Sequence, residues 1–240
     1  DVLSSDTLKQ TGQTEVGRML QTVAPSFNFS SSSISDGTDA LRPATLRGLG
    51  PDQTLVLING KRRHNTSLVH VNTSVGRGSA GVDLNAIPAA SIKRIEVLRD
   101  GAAAQYGSDA LAGVINIVLN DDPDMDSFNV SYGQYSEDGE TTNIDITNGF
   151  NFGDGGYVSG SLNYRDRAAT NRAGLSGQCQ YLAGCDANND GTGSSDPDGI
   201  DEAADPREAE FNRQNFRIGD ADSEQLAVTL NAAYELSEGE

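Results

Sequence analysis

The sequence has no tryptophan, and of its 240 residues only two are cysteine, two methionine, two histidine and 17 lysine or arginine. No apolar run approaches the roughly 20 residues a helix needs to cross a bilayer, so no helical span is expected. The chain does not open with a basic segment followed by an apolar core, so a secretory signal is expected to be absent or already removed. Against so few cations stand 35 Asp and Glu, for a net charge of −18. That balance repels nucleic acid, and the one basic run, Lys61-Arg62-Arg63-His64, reads as a solvated hairpin arm too short to reverse it. The two histidines, His64 and His70, have no cysteine partner and no carboxylate at ligand spacing, and no serine or cysteine stands beside an evident base. Enzymatic chemistry and a bound cofactor are therefore not expected. Gly76-Arg77-Gly78-Ser79-Ala80-Gly81 fits a dinucleotide fingerprint, but Val82-Asp83-Leu84-Asn85 runs into Pro88 where the phosphate-binding helix would have to begin, so a loop is expected.

What is present divides by charge. Residues 1–119 hold 11 basic and 10 acidic side chains, residues 120–240 hold 6 and 25. In the first part Val16, Met19, Leu20 and Val23 follow the stripe of a helix with one buried face, stopped before Pro25, with Ser5 and Thr14 as expected N-caps. Thr54–Ile58 runs into Asn59-Gly60, the dipeptide suited to a two-residue hairpin turn, and Lys61–Arg63 returns. Residues 95–99 read as a strand and 102–106 as one helical turn ended by a left-handed Gly107. A second short helix follows over 109–112, stopped by Gly113. Residues 114–119 then form a strand apolar on both faces, which must sit inside a covered sheet. Asn116 in its middle is costly unless paired, so it is expected to bond the backbone of a neighbouring turn.

"LRGLGPDQTLVLINGKR" (46–62) and "IPAASIKRIEVLRDGAAAQYGSDALAGVINIVLN" (87–120) resemble, in content and spacing, the plug domain of TonB-dependent outer-membrane transporters. The resemblance covers essentially residues 1–120, and departs from it at Asp100, where the family usually has glycine. It implies an α+β plug, a small mixed sheet with short helices and long loops, over 1–122. Gly48, Asn59, Gly60, Glu96, Gly107, Gly113 and Asn116 would be its structural positions. It also implies that Arg47 and Arg99 pair with carboxylates of a barrel wall. The upper loops, 30–41, 50–53 and 64–81, would meet the ligand, with His64, Asn65, His70, Asn72 and Arg77 as individual candidates.

The acidic part alternates oily and wet residues in four segments, near 127–136, 142–152, 156–165 and 224–236, as strands of a transmembrane barrel do. Residues 123–240 are thus expected to be the first part of such a barrel, with 166–222 as a long extracellular loop. Four strands cannot close a barrel. The family's barrels have 22, so the rest is expected beyond Glu240, and the segment that engages TonB before Asp1. In an outer loop Cys179 and Cys185 are expected to form a disulfide. Asp186, Asn188, Asp190 and Thr192 follow the first half of a calcium loop around Gly191, but Pro197 stands where the bidentate Glu belongs. The implied function is energy-coupled import of a siderophore, vitamin or carbohydrate across the outer membrane. Alternation alone equally fits a soluble extracytoplasmic binding or adhesion module, a sandwich whose acidic half is stabilised by calcium.

Overall fold

A computed structural model of the chain describes residues 1–31, 37–38, 40–71, 75–99, 101–153, 155–173 and 218–235. Asn72, Cys179, Cys185, Asp186, Asn188, Asp190 and Thr192 lie outside the described residues. The chain forms two compact units, Asp1–Ala169 with Asp220–Glu240, and Thr170–Gly219. In the second, Arg172 N donates to Ile218 O at 2.7 Å, and Asn171 Oδ1 accepts from Ala173 N at 2.9 Å.

The first unit contains a five-stranded mixed sheet built from β1 (Val2–Ser4), β4 (Thr54–Ile58), β5 (Lys61–Arg62), β6 (Ile92–Leu98) and β7 (Gly113–Leu119), in the order β1-β6-β7-β4-β5. Only the β4–β7 pair is parallel. β7 lies between β6 and β4, as its two apolar faces require. On one face Ile115 and Ile117 join a core with Leu20, Leu46, Leu84 and Ile95. On the other, Val114 packs with Leu55, Leu57, Ala102 and Ala110. Each of these Val, Leu and Ile side chains stabilises by about 1.5–3 kcal/mol through burial alone. A two-stranded piece, β2 (Phe27–Phe29) with β3 (Ala44–Leu46), and the helices α1 (Ser5–Lys9), α2 (Val16–Val23) and α3 (Ala102–Tyr106) complete it.

Helix α2 buries Val16, Met19 and Leu20 of the predicted stripe and leaves Val23 half-buried against the same core. Its N-cap is Glu15 and that of α1 is Ser4, one residue from each expected cap. Ser4 Oγ accepts from Thr7 N at 3.2 Å, a bond that Ser5, already inside the helix, does not make. Gly107 has φ 95° and ψ −170°, a mirror-extended rather than a left-handed helical cap, and it leads into a 3₁₀ turn over Ser108–Ala110 in place of a second α-helix. Residues 76–81 are turn and loop, without the helix a phosphate would need.

The hairpin turn has φ 48° at Asn59 and 76° at Gly60, the two positive values a two-residue turn of this kind requires. Asn59 does more than turn. Its Oδ1 accepts from Leu119 N at 2.9 Å, and its Nδ2 donates to Asn231 Oδ1 at 3.1 Å. Asn116 Oδ1 accepts from Gly60 N at 2.9 Å and its Nδ2 donates to Glu96 Oε2 at 2.9 Å, so the polar group inside β7 is satisfied by the turn and by β6. Asn59→Ala is expected to cost about 1–3 kcal/mol, from a strained φ and a lost acceptor. Asn59→Asp keeps the acceptor and should recover part of that, read as the denaturant midpoint of each variant.

A second sheet of four antiparallel strands follows, β8 (Asp126–Gly133), β9 (Thr141–Phe152), β10 (Gly156–Arg167) and β11 (Ser223–Tyr234), in the order β11-β10-β9-β8. β8 stops at Gly133, short of the expected 136, and β10 continues to Arg167. The burial of its faces is inverted relative to a soluble sandwich. Apolar Phe128, Val130 and Tyr132 are 70, 54 and 65% exposed, whereas Asn143, Thr147, Ser159, Ser161, Asn163 and Arg165 are 5, 2, 4, 6, 6 and 7% exposed. A sandwich would bury the apolar set; here the polar face is turned inward on the mixed sheet.

Candidate plug–wall site and outer loops

Three of the loops expected to meet a ligand come together. Thr38 Oγ1 lies 3.4 Å from His70 Nδ1, and His70 is 2% exposed. His70 N donates to Ser79 O at 2.9 Å, and Gly78 N to His70 O at 2.7 Å. Pro51 closes against the same loop, for a Cβ on Gly76 would lie 2.3 Å from its Cδ. His70 is therefore a pin that fastens this loop to the one containing Thr38, rather than a group offered to a ligand. The expectation of a ligand contact rested on the outer position that the resemblance implies for this loop and on residue type, and the ring is instead packed against Thr38. His64, Asn65 and Arg77 are exposed, as are Val69 and Val75 beside them.

Burial pushes the His70 imidazole below its ordinary value. The folded loop therefore holds a neutral ring while the unfolded chain protonates near pH 6.5. That preference stabilises above the unfolded value and is lost as pH falls through the folded one. Amide exchange at the described residues of 64–81 should thus accelerate between pH 7.5 and 5 beyond the intrinsic change. His70→Leu should abolish the excess.

Arg47 and Arg99 sit together at another edge. Arg47 Nη1 donates to Arg99 O at 2.7 Å, and Arg99 forms an ion pair with Asp1. Arg47 has a left-handed φ of 58° followed by Gly48 at 74°, so the Arg-Gly pair forms a turn out of β3. Glu96 bonds Asn116 and Arg94, which together hold its carboxyl below the usual carboxylate range.

Among the described residues the densest cluster of charge joins the helical start of the first unit to its four-stranded sheet, and none of its members was singled out in the sequence. Glu15, at the start of α2, turns its two oxygens in opposite directions. Oε1 lies 2.9 Å from Arg167 Nη1 and 3.8 Å from Arg165 Nη2, both on β10. Oε2 lies 3.3 Å from Arg18 Nε and 3.7 Å from Arg42 Nη1. Asp220, just before β11, reciprocates by accepting from Arg42 Nη2 at 2.7 Å and Arg18 Nη2 at 3.4 Å. Burial pushes the Asp220 carboxyl up, but the charges of Arg42, Arg167 and Arg18 outweigh that and hold it below its ordinary value. Each side thus lends the other a carboxylate. Burial raises Asp83 nearby, against the opposing pull of the Asn85 and Ala86 backbone and of Arg165. The legible signal was Arg165 and Arg167 at alternate positions of a strand face otherwise made of Tyr157, Ser159, Ser161 and Asn163.

A neutral contact lies lower on the same strands. Ser159 Oγ donates to Asn120 O at 2.5 Å, Asn231 Nδ2 donates to the same carbonyl at 2.7 Å, and Asn231 also meets Asn59. Gln225 Nε2 donates to Asn85 O at 3.0 Å.

Residues 1–114 match the TonB-dependent receptor plug domain. The chain is 30% identical to the ferric enterobactin receptor of Pseudomonas aeruginosa over 168 residues, 68% of this chain and 21% of that protein. It is 38% identical to the ferrienterobactin receptor of Escherichia coli over 104 residues, 43% of this chain and 14% of that one. To the vitamin B12 transporter of Vibrio vulnificus it is 33% identical over 105 residues, 44% of this chain and 15% of the relative. The chain thus spans about a fifth or less of the length of these relatives. A crystal structure of the Pseudomonas aeruginosa ferric enterobactin receptor in complex with enterobactin matches with a TM-score of 0.57 at 25% identity, covering 71% of this chain and 25% of that one.

Proposed function

Since this chain belongs to the TonB-dependent receptors, we propose that it is the plug and first wall strands of an importer that draws a scarce solute across the bacterial outer membrane. The observation that carries this reading is the inverted burial of the four strands. An apolar face turned outward suits lipid, and a Ser/Asn/Arg face turned inward suits a plugged lumen. The plug blocks the lumen, the solute docks on the loops around Pro51 and Arg77, and TonB, engaging a segment upstream of residue 1, supplies the work. No covalent chemistry is needed. Relatives named for ferric enterobactin and vitamin B12 support a siderophore or vitamin as cargo. The periplasmic side receives it once the plug is displaced.

Uptake by cells expressing the complete receptor tests the reading, with ferric catecholate siderophores and cobalamin as the first probes. Import should be abolished by removal of TonB and by collapse of the proton gradient; import that survives both would overturn it. At least one of His64→Ala, Asn65→Ala and Arg77→Ala should weaken binding of the imported probe threefold or more, about 0.65 kcal/mol. Recognition would belong to barrel loops if all three bound as the parent does.

A further inference from the structure

A cleft of about 510 Å³ separates the helical start of the plug from the wall. Leu8, Gln13 and Thr14 line it on the plug side, and Asn129, Ser131 and Asp145 on the inner faces of β8 and β9. About half of the lining residues carry amides or hydroxyls, groups that exchange hydrogen bonds with water at little net cost, and the rest are apolar, Met19 and Met125 among them, or charged, with Lys9 the basic member. Its acidic member, Asp145, is bonded by Asn143 at 2.7 Å and Asn163 at 2.8 Å. Thr14 borders both the cleft and Glu15, so the ionic cluster stands at its rim. Among the described residues, every ion pair that α1 or α2 makes with the wall or its flank runs through Glu15 or Arg18.

We propose that this cleft is the route by which a hydrophilic solute passes the plug, and that Glu15, shared between Arg165 and Arg167, is the clasp that keeps it shut. The inference rests on the importer reading and adds to it a path and a gate. Helices of five and eight residues have little stability of their own. The α1–α2 segment is therefore held where its side chains hold it. Withdrawing it takes Glu15 from two arginines on one face of one strand, and that separation of opposite charge resists opening until work is supplied. The neutral contacts of Asn59 and Asn120 with Asn231 involve neither helix, so they keep the sheet seated on the wall while this segment moves and takes its buried Leu8, Val16, Met19 and Leu20 out of the core. The Arg165 and Arg167 guanidiniums then regain their carboxylate on closure, which makes the gate reversible.

The test is conductance of the complete receptor in planar bilayers, with potassium chloride as the probe and neither cargo nor TonB present. Glu15→Gln should raise the ion leak about tenfold or more over the parent. Arg167→Glu, which sets two carboxylates face to face, should leak likewise. Asn129→Trp or Ser131→Trp, placed in the Glu15→Gln background, should return the leak towards the parent level by filling the cleft. A Glu15→Gln receptor as tight as the parent would overturn the clasp. A leak untouched by either tryptophan would overturn the route, whether the plug had come loose as a whole or the path lay elsewhere. Should Glu15→Gln not be recovered folded, Glu15→Asp, which keeps the charge and shortens its reach, carries the same comparison. Because conductance requires no cargo, its outcome is independent of the uptake assay that tests import.

Discussion

Gly113→Ala is expected to destabilise the plug by about 3–5 kcal/mol, a large part of the roughly 5–15 kcal/mol that holds a domain together. Gly113 opens β7 with φ 143°, and a Cβ there would lie 2.4 Å from Leu98 O and 2.6 Å from Leu46 Cδ2. Neither neighbour can yield easily. Leu98 is paired to Val114 in the β6–β7 ladder, and Leu46 is fully buried in the main core. Backbone strain and overpacking therefore add. Gly101→Ala separates the two, because Gly101 has φ 71° and open space around its Cβ position. That variant should cost only the strain, about 1 kcal/mol. The urea midpoint of the chain in detergent micelles reads both, and equal shifts for the two variants would show that the close contact at Gly113 is relieved by small movements of the sheet.

Glu15→Ala is expected to loosen the plug from the wall by about 3–5 kcal/mol, because it leaves buried guanidiniums short of a counter-charge. The side chains of Arg42 and Arg165 are 2 and 8% exposed, so water cannot replace the carboxylate. The contrast is Lys93–Asp121, an ion pair whose members are 45 and 41% exposed. Asp121→Ala should change stability by about 0–1 kcal/mol and lose even that in high salt. Amide exchange in α2 measures the first effect and should respond little to added salt in the parent protein. If Glu15→Ala and Asp121→Ala prove equivalent, the cluster is hydrated rather than dry and its carboxylates are not holding the plug.

The local elements were legible in the sequence because each is fixed by interactions a few residues long. The i, i+3, i+4, i+7 stripe of Val16 to Val23 had one face to bury, and Asn59-Gly60 had the rare freedom that two successive positive φ values require. The two-sided apolar run of β7 left it no place but the inside of a sheet, and the cost of an unpaired amide foretold the partner of Asn116. Alternation placed the four wall strands but left open which of their faces is buried, since a period of two is the same for a sandwich and a barrel. Tertiary structure decided that, by turning Ser159, Ser161 and Asn163 inward on the plug and leaving Phe128 and Val130 out. It also decided which charges meet. Glu15 and Arg167 are 152 residues apart in the chain, and their contact depends on how a helix N-terminus is carried to the end of a strand, a relation that no local pattern of residues encodes. His70 lost its expected role for the same reason: a ring is a ligand contact or a pin according to what is packed over it, and what covers His70 comes from loops distant in the sequence.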